Sequence, residues 1–301
     1  MCETSFGFVH GPEAFHRGAL CRTSGKKGEC PVSAQVVPRE IFCKSAMNKT
    51  GIPGYDFCMN PYGGCTHGCI YCYASFMCRF RDHDEKWGDF LDVKINFPAV
   101  LERQLQTRRT QPRGKLLLGT VTDAYQPAEA RFGITRSSLQ ILADYPLLEV
   151  HILTKSDLVH RDVPILKRLR VCEVGFSITT MDRKVSGMIE PGASPPNLRL
   201  AAARDLMKAG VAVWVFIAPL LPGLTDTEES LGTLLQALRE SGIRNIQLDK
   251  LNPYPTVIDR LKIFYRLYFP GALPRLEEYL HHPGIYRDTI ACWLRKLKPV
   301  E

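Results

Sequence analysis

The 301-residue sequence contains no run of 18 or more apolar residues, so no membrane-spanning helix is expected. Its opening stretch, MCETSFGFVHGPEAFHRG, lacks a basic start followed by an apolar core. No secretory signal is therefore expected, and the cytoplasm is the expected compartment. No block of five or more like charges occurs, and the closest cationic doublets are Lys26-Lys27 and Arg108-Arg109. The net charge of +8 is thus spread thinly, which reads as a solvated basic surface and only permits a polyanionic partner. No internal repeat with a solenoid period is found.

An apolar fraction of 45% with 23% charged residues is that of a globular protein of one large domain. Eleven cysteines is a high and odd count. In a reducing compartment such thiols stay free, and a local cluster of them points to metal binding or catalysis. Cys2, Cys21, Cys30, Cys43 and Cys58 are scattered at wide intervals and read as free or buried thiols.

Residues 1–56, rich in Gly, Pro, Ser and Lys, read as an irregular leader. Beyond them apolar strand-length runs alternate with amphipathic stretches. Strands are expected at 115–123, 147–154, 172–179, 211–220 and 244–251, with helices near 133–144, 158–169, 196–209 and 226–242. For the last helix Thr225 or Asp226 is the expected N-cap, and Gly242 the stop. Strands apolar on both faces imply a parallel sheet covered by helices. With the segment at the cysteine motif counted, about six strand–helix units result, fewer than the eight of a closed barrel. The expected fold is α/β: a partial (β/α)6 TIM-type barrel over 57–251, with the irregular leader before it. Helices over 252–301, in the same domain, cap its open side.

The stretch GGCTHGCIYCYASF (63–76) carries Cys65, Cys69 and Cys72 at C-x3-C-x2-C spacing. Three thiolates are one short of a structural zinc site, which would need His67 or Cys78 as fourth ligand. The other reading is a [4Fe–4S] cluster on three thiolates with one iron left open, the condition of a catalytic rather than a structural centre. Gly63, Gly64 and Gly68 let the loop wrap a cluster closely, and Tyr71 and Tyr73 bracket the last cysteine as aromatic walls.

This motif resembles the signature of the radical S-adenosylmethionine superfamily. More narrowly, NKTGIPGYDFCMNPYGGCTHGCIYCYASFM and GTVTDAYQPAE resemble the spore photoproduct lyase-like (DNA repair photolyase-like) group, over roughly residues 44–250. The resemblance implies a [4Fe–4S] cluster on Cys65, Cys69 and Cys72 whose open iron binds S-adenosylmethionine. Reductive cleavage then gives a 5′-deoxyadenosyl radical that abstracts hydrogen from a substrate. It further implies Tyr71 near the adenine, Thr122 and Asp123 at the methionyl amino group, and Lys155 on the carboxylate. Ser177 would contact the ribose, Glu190 the ribose or amino group, and the backbone near Ala218, Leu220 and Gly223 would lie against the adenine. Taken singly, a strand-end lysine is usually a solvated charge, Ser177 a turn residue and Asp123 a helix cap. Together they fall at the C-terminal ends of successive strands, where active sites of parallel α/β barrels collect.

One departure bears on the reaction. Spore photoproduct lyase returns a hydrogen atom to its substrate from a cysteine where this sequence has Thr120, and an O–H bond is too strong for that role. The substrate is therefore left unassigned, with nucleic acid one class that the charge allows. No methyl-accepting cysteine pair or cobalamin-binding domain is present for methyl transfer. The resemblance implies a reductant such as flavodoxin or ferredoxin, and a monomer is expected. The competing reading is a non-catalytic iron–sulfur or zinc protein that binds nucleic acid.

Overall fold

The computed structural model describes residues 36–80, 85–107 and 109–282, together with 284, 286, 288 and 292. Among the described residues there are ten strands: β1 (Arg39–Ile41), β2 (Met47–Lys49), β3 (Phe57–Met59), β4 (Tyr62–Gly63), β5 (Asp92–Lys94), β6 (Gly114–Leu118), β7 (Leu148–Thr154), β8 (Val171–Ser177), β9 (Ala212–Leu220) and β10 (Ile246–Lys250). Seven of them form one sheet in the order β10-β9-β8-β7-β6-β3-β2. The six from β3 to β10 run parallel, and β2 is added antiparallel at the β3 edge. This is the expected partial barrel of six parallel strands. β1, β5 and β4 make a small separate sheet beside it.

Parallel register puts Met59, Leu118, Ile152 and Val174 in one row, all fully buried. They pack in a single core with Leu139, Leu142, Ala203 and Leu206 of the flanking helices Ile134–Leu142 and Pro196–Lys208. Successive side chains alternate between faces, so the opposite face carries Leu117, His151 and Glu173 in another row. Lys155 and Ser177 fall on that same face where β7 and β8 end, and it is the face that lines the barrel's interior.

Three expectations are corrected in detail. The strand expected over 115–123 stops at Leu118, because Gly119 takes a positive φ of 86° and turns the chain into a loop. The leader stretch contributes β1 and β2, which at three residues each are too short to show a period. The helix Glu228–Glu240 is capped by Thr227, whose hydroxyl accepts from Ser230 N, rather than by its two predecessors. Thr225 instead accepts from Leu221 N, and Asp226 from Gly223 N and the Tyr286 hydroxyl. The leader's Cys2, Cys21 and Cys30 lie outside the described residues.

After β10 the chain returns along the helix Pro255–Tyr268. Arg260 of this helix donates to Cys72 O at 3.3 Å and to Ser75 Oγ at 2.9 Å. The last strand's continuation is thereby tied to the loop that follows the first.

Trp214 of β9 packs against Gly175 of β8, and a Cβ on Gly175 would stand 2.4 Å from the indole. Gly175→Ala must displace this buried ring, at an expected cost of about 1–3 kcal/mol. Thermal denaturation should show a melting temperature lower by several degrees; an unchanged value would mean the ring is not fixed there.

Candidate active site

The cysteine loop leaves β4 at Gly63 and enters a 3-10 helix, Tyr73–Phe80. Gly64 has φ 78°, and any Cβ there would meet Phe90 O at 2.5 Å, so only glycine lets the loop turn inward at this point. Cys65 and Cys69 are buried and Cys72 is half-buried, all three as free thiols. Burial pushes the Cys65 thiol up to about 12, with Asp123 and Cys72 adding to the shift. Burial likewise raises Cys69 and Cys72, and Lys155 opposes it at both. Backbone N–H groups of His67 and Asp123 point at Cys65, and those of Ala74 and Ser75 at Cys72. Thiols this buried stay protonated unless a cation takes the place of the proton, and the N–H donors are arranged for sulfur that carries negative charge.

The thiols do not converge as ligands of one ion would. Among the described residues, no three His, Cys, Asp or Glu side chains share a point that could hold a single metal ion. A tetrahedral zinc completed by His67 or Cys78 is therefore not what this loop is shaped for. His67 is buried with Nδ1 turned to Asp123 Oδ2 at 3.4 Å. A cluster engages each cysteine at a different iron, so its ligands need not meet at one point, and the donor set fits it.

Next to the loop, the strand ends hold a buried polar array. Glu190 follows the helix Arg183–Ile189; one of its oxygens accepts from the Tyr71 hydroxyl and the other from Arg199 Nη2 at 2.5 Å. Arg199 also donates to Ser194 O at 2.6 Å and to Ser177 O at 2.8 Å. Burial alone would raise the Glu190 carboxyl, but Arg199 and Lys155 outweigh it and hold it below its ordinary range. Burial would lower Lys155, yet Cys69, as the thiolate that a metal would leave, and the Glu190 carboxylate outweigh it; Lys155 is an ammonium, with Nζ 5.7 Å from the Tyr71 ring centre. The Ser177 side chain, buried at the end of β8, makes no hydrogen bond among the described residues.

The structure brings Tyr71, Lys155, Ser177 and Glu190 together beside the three cysteines. It gives Thr122 and Asp123 other work. Thr122 donates to Gly64 O at 2.6 Å and accepts from Gln126 Nε2 at 3.0 Å. Asp123 accepts from Lys155 N at 2.7 Å, and from Tyr125 N and the Thr154 hydroxyl at 2.8 Å each. Both side chains thus brace the loop. Ala218 and Leu220 sit in β9, both buried and the latter wholly so.

Sequence reasoning missed Arg199, Gln126 and Arg260. Arg199 stands in a helix where a cation ordinarily faces water, yet it is wholly buried. Arg260 lies far along the chain from the loop it holds, and its buried Nε has no hydrogen-bond partner among the described residues. Nothing local in the sequence marks either residue.

A partial parallel barrel with a cysteine loop after its first strand and a polar array across the next strand ends is the architecture of an enzyme that holds a cofactor over those ends. The sequence model of the Radical SAM superfamily matches residues 59–246. The chain belongs to the Radical SAM superfamily, and a [4Fe–4S] cluster with S-adenosylmethionine is its cofactor pair. An uncharacterized protein of Methanocaldococcus jannaschii is 36% identical over 193 residues, 64% of this chain and 71% of that one. An uncharacterized protein of Mycobacterium tuberculosis is 34% identical over 220 residues, 69% of this chain and 63% of that one. In structure the chain is similar to spore photoproduct lyase complexed with dinucleoside spore photoproduct, at TM-score 0.58 and 16% identity. That match covers 76% of this chain and 66% of the lyase. A second structure of the lyase, a double mutant with bound AdoMet and the dinucleoside spore photoproduct, gives 0.55 and 17%. At such identity the likeness shows the fold alone. No helix among the described residues is long and apolar enough to cross a membrane.

Because Glu190 is held below its ordinary 4.5, its ionic stabilisation is complete above that pH and is lost as pH falls through the lowered value. Arg199→Met leaves the carboxyl buried without its partner and should cost about 3–5 kcal/mol at pH 7. Urea denaturation at pH 7 and at pH 3.5 should show this deficit shrinking in acid. An equal deficit at both values would mean that lost packing, not the ion pair, is what Arg199 supplies.

Proposed function

We propose that this chain is a radical S-adenosylmethionine enzyme in which Cys65, Cys69 and Cys72 hold the cluster and the strand-end array holds the cofactor. The observation that carries the reading is the placement of a half-buried ammonium, Lys155, between three thiols, two of them buried, and the buried Glu190–Arg199 pair. When bound, the cluster and S-adenosylmethionine supply a reductively generated carbon radical that takes hydrogen from the substrate.

The chain's own residues do the binding and positioning. Lys155 offers the positive charge for the methionyl carboxylate, and its ammonium state is secured by its neighbours. Ser177 offers a hydroxyl for the ribose. Glu190, with both oxygens engaged, orients the Tyr71 ring and balances Lys155 rather than touching the ligand. The loop at Thr122 and Asp123 presents its backbone to the amino group, and the backbone near Ala218, Leu220 and Gly223 lies against the adenine. The core beneath the array keeps water from the reacting atoms.

The substrate belongs to a separate reading. The lyase structures contain a dinucleoside spore photoproduct, and the net charge of +8 here suits a nucleic acid. Thr120, however, accepts from Asn60 Nδ2 at 2.7 Å through its hydroxyl and from the Tyr73 hydroxyl through its carbonyl. An O–H bond is too strong for this hydroxyl to return a hydrogen atom as a thiol would. We infer a hydrogen-abstracting enzyme, acting as a monomer on a nucleic-acid or other substrate, whose product does not depend on a thiol at this position.

The protein should be purified without oxygen, loaded with iron and sulfide, and reduced with dithionite. A paramagnetic cluster signal that shifts on adding S-adenosylmethionine, with 5′-deoxyadenosine released, is expected. Cys72→Ala should lose most of the iron. Lys155→Ala should keep it while S-adenosylmethionine binds about tenfold or more weakly, the worth of a charged hydrogen bond. Bound zinc, or a signal indifferent to the cofactor, would defeat the reading.

A further inference from the structure

Two cations act on the cysteine loop. Lys155, at the end of β7, acts on Cys69 and Cys72. Arg260, from the helix Pro255–Tyr268, acts on Cys72, Cys78 and Cys69. Their circumstances differ. Lys155 lies near the Glu190 carboxylate, and its ammonium is the group proposed for the methionyl carboxylate. Arg260 is held only by neutral acceptors: its Nη2 donates to Cys72 O at 3.3 Å and to Ser75 Oγ at 2.9 Å.

Burial lowers Arg260 from its ordinary value, with the three cysteines opposing the shift. An arginine starts so far above neutrality that it stays a cation all the same. Carboxylates do reach this region, since Glu85 and Asp89 act on Cys78, but the pull of Arg260 there exceeds the push of either. A second observation is the buried Nε, which has no hydrogen-bond partner among the described residues. A buried donor left unpaired is costly and calls for an acceptor that the polypeptide here does not supply. The side chain is thus fixed by two neutral bonds, keeps an unused donor, and spends its charge on cysteine sulfur.

A cluster that gains an electron becomes more negative, so a cation beside its ligands favours the reduced state, most strongly where water is excluded. Resting on the proposed function, we propose that the Arg260 guanidinium, anchored on Cys72 O and Ser75 Oγ, raises the reduction potential of the cluster. The electron comes from a low-potential one-electron donor, dithionite in vitro. The donor is oxidised, the cluster is reduced, and no bond or proton of Arg260 changes. Lys155 is met by the cofactor's carboxylate once the cofactor binds, whereas Arg260 keeps its field with the cofactor present or absent.

Redox titration of the reconstituted protein, followed by electron paramagnetic resonance without S-adenosylmethionine, reads this effect. Arg260→Gln keeps a donor near Cys72 O and removes the charge. Its cluster should be about tenfold or more harder to reduce, a midpoint lower by about 59 mV for a one-electron couple. Arg260→Lys keeps the charge without the planar fork and should stay within about threefold of the wild type. Arg79→Gln removes an exposed cation from the 3-10 helix after Cys72 and should change nothing, because water screens it. Where Arg260→Gln does not take up iron, Ser75→Asp sets a carboxylate against the intact guanidinium and should lower the midpoint likewise. Ser75→Asn, its neutral control, should not. A wild-type midpoint in Arg260→Gln or in Ser75→Asp would overturn the proposal. So would equal shifts in the Lys and Gln variants, since the fork's bonds and not its charge would then be at work. A wild type that takes up zinc, or gives no cluster signal, defeats the proposed function and this inference together. A normal wild-type signal with an indifferent Gln variant defeats this inference alone.

Discussion

Taking the Glu190 carboxylate and the Arg199 guanidinium out of water costs several kcal/mol for each ion, so the pair persists only where geometry and hydrogen bonds offset that cost. Here they do. Arg199 reaches Glu190, Ser194 O and Ser177 O, and Glu190 takes the Tyr71 hydroxyl on its second oxygen. The segment between the two ions is stitched to everything around it. Ile70 N donates to Ile189 O, Gly192 N to His67 O and Ser194 N to Lys155 O, at 3.0 to 3.1 Å. The cysteine loop and the ends of β7 and β8 are thus held to one short piece of chain whose conformation the ion pair fixes.

That arrangement also settles the charge of the site. Burial works against ionisation at the three loop cysteines, at Lys155 and at Glu190 alike. Lys155 and Glu190 nevertheless remain charged because each lies near opposite charge, whereas the thiols wait for a metal to displace their protons. Asp123 does the corresponding mechanical work on the other flank, gathering Tyr125 N, Lys155 N and the Thr154 hydroxyl while facing His67. A site built this way keeps its shape before the cofactor arrives, which lowers the ordering cost of binding.

The legibility of these features in the sequence follows from their distance along the chain. The three cysteines sit within one loop and can be read together. Lys155 and Ser177 follow apolar runs whose ends mark the edge where ligands collect. The six parallel strands are legible because Val, Ile and Leu fill them. Arg199 and Arg260 are illegible for the opposite reason: a helix cation looks solvated until its partners, Glu190 and Cys72, are known to lie against it. The partners of Thr122 and Asp123 were equally out of reach: Gly119 turns the chain after β6, and both side chains find hydrogen bonds in the protein that no local pattern names.

The 3-10 helix Tyr73–Phe80 sets the relation between the two sides of the molecule. At its first residue the Tyr73 hydroxyl reaches Thr120 O, on the loop after β6, within the barrel's mouth. Thr120 is held in turn by Asn60, which also accepts from the N–H groups of Thr120 and Val121 at 2.9 and 3.1 Å. A few residues on, the same helix presents Phe76 and Phe80 to solvent and receives Arg260 at Ser75. Its short turns thus carry the chain from the strand ends to the outer surface while keeping Cys72 between them.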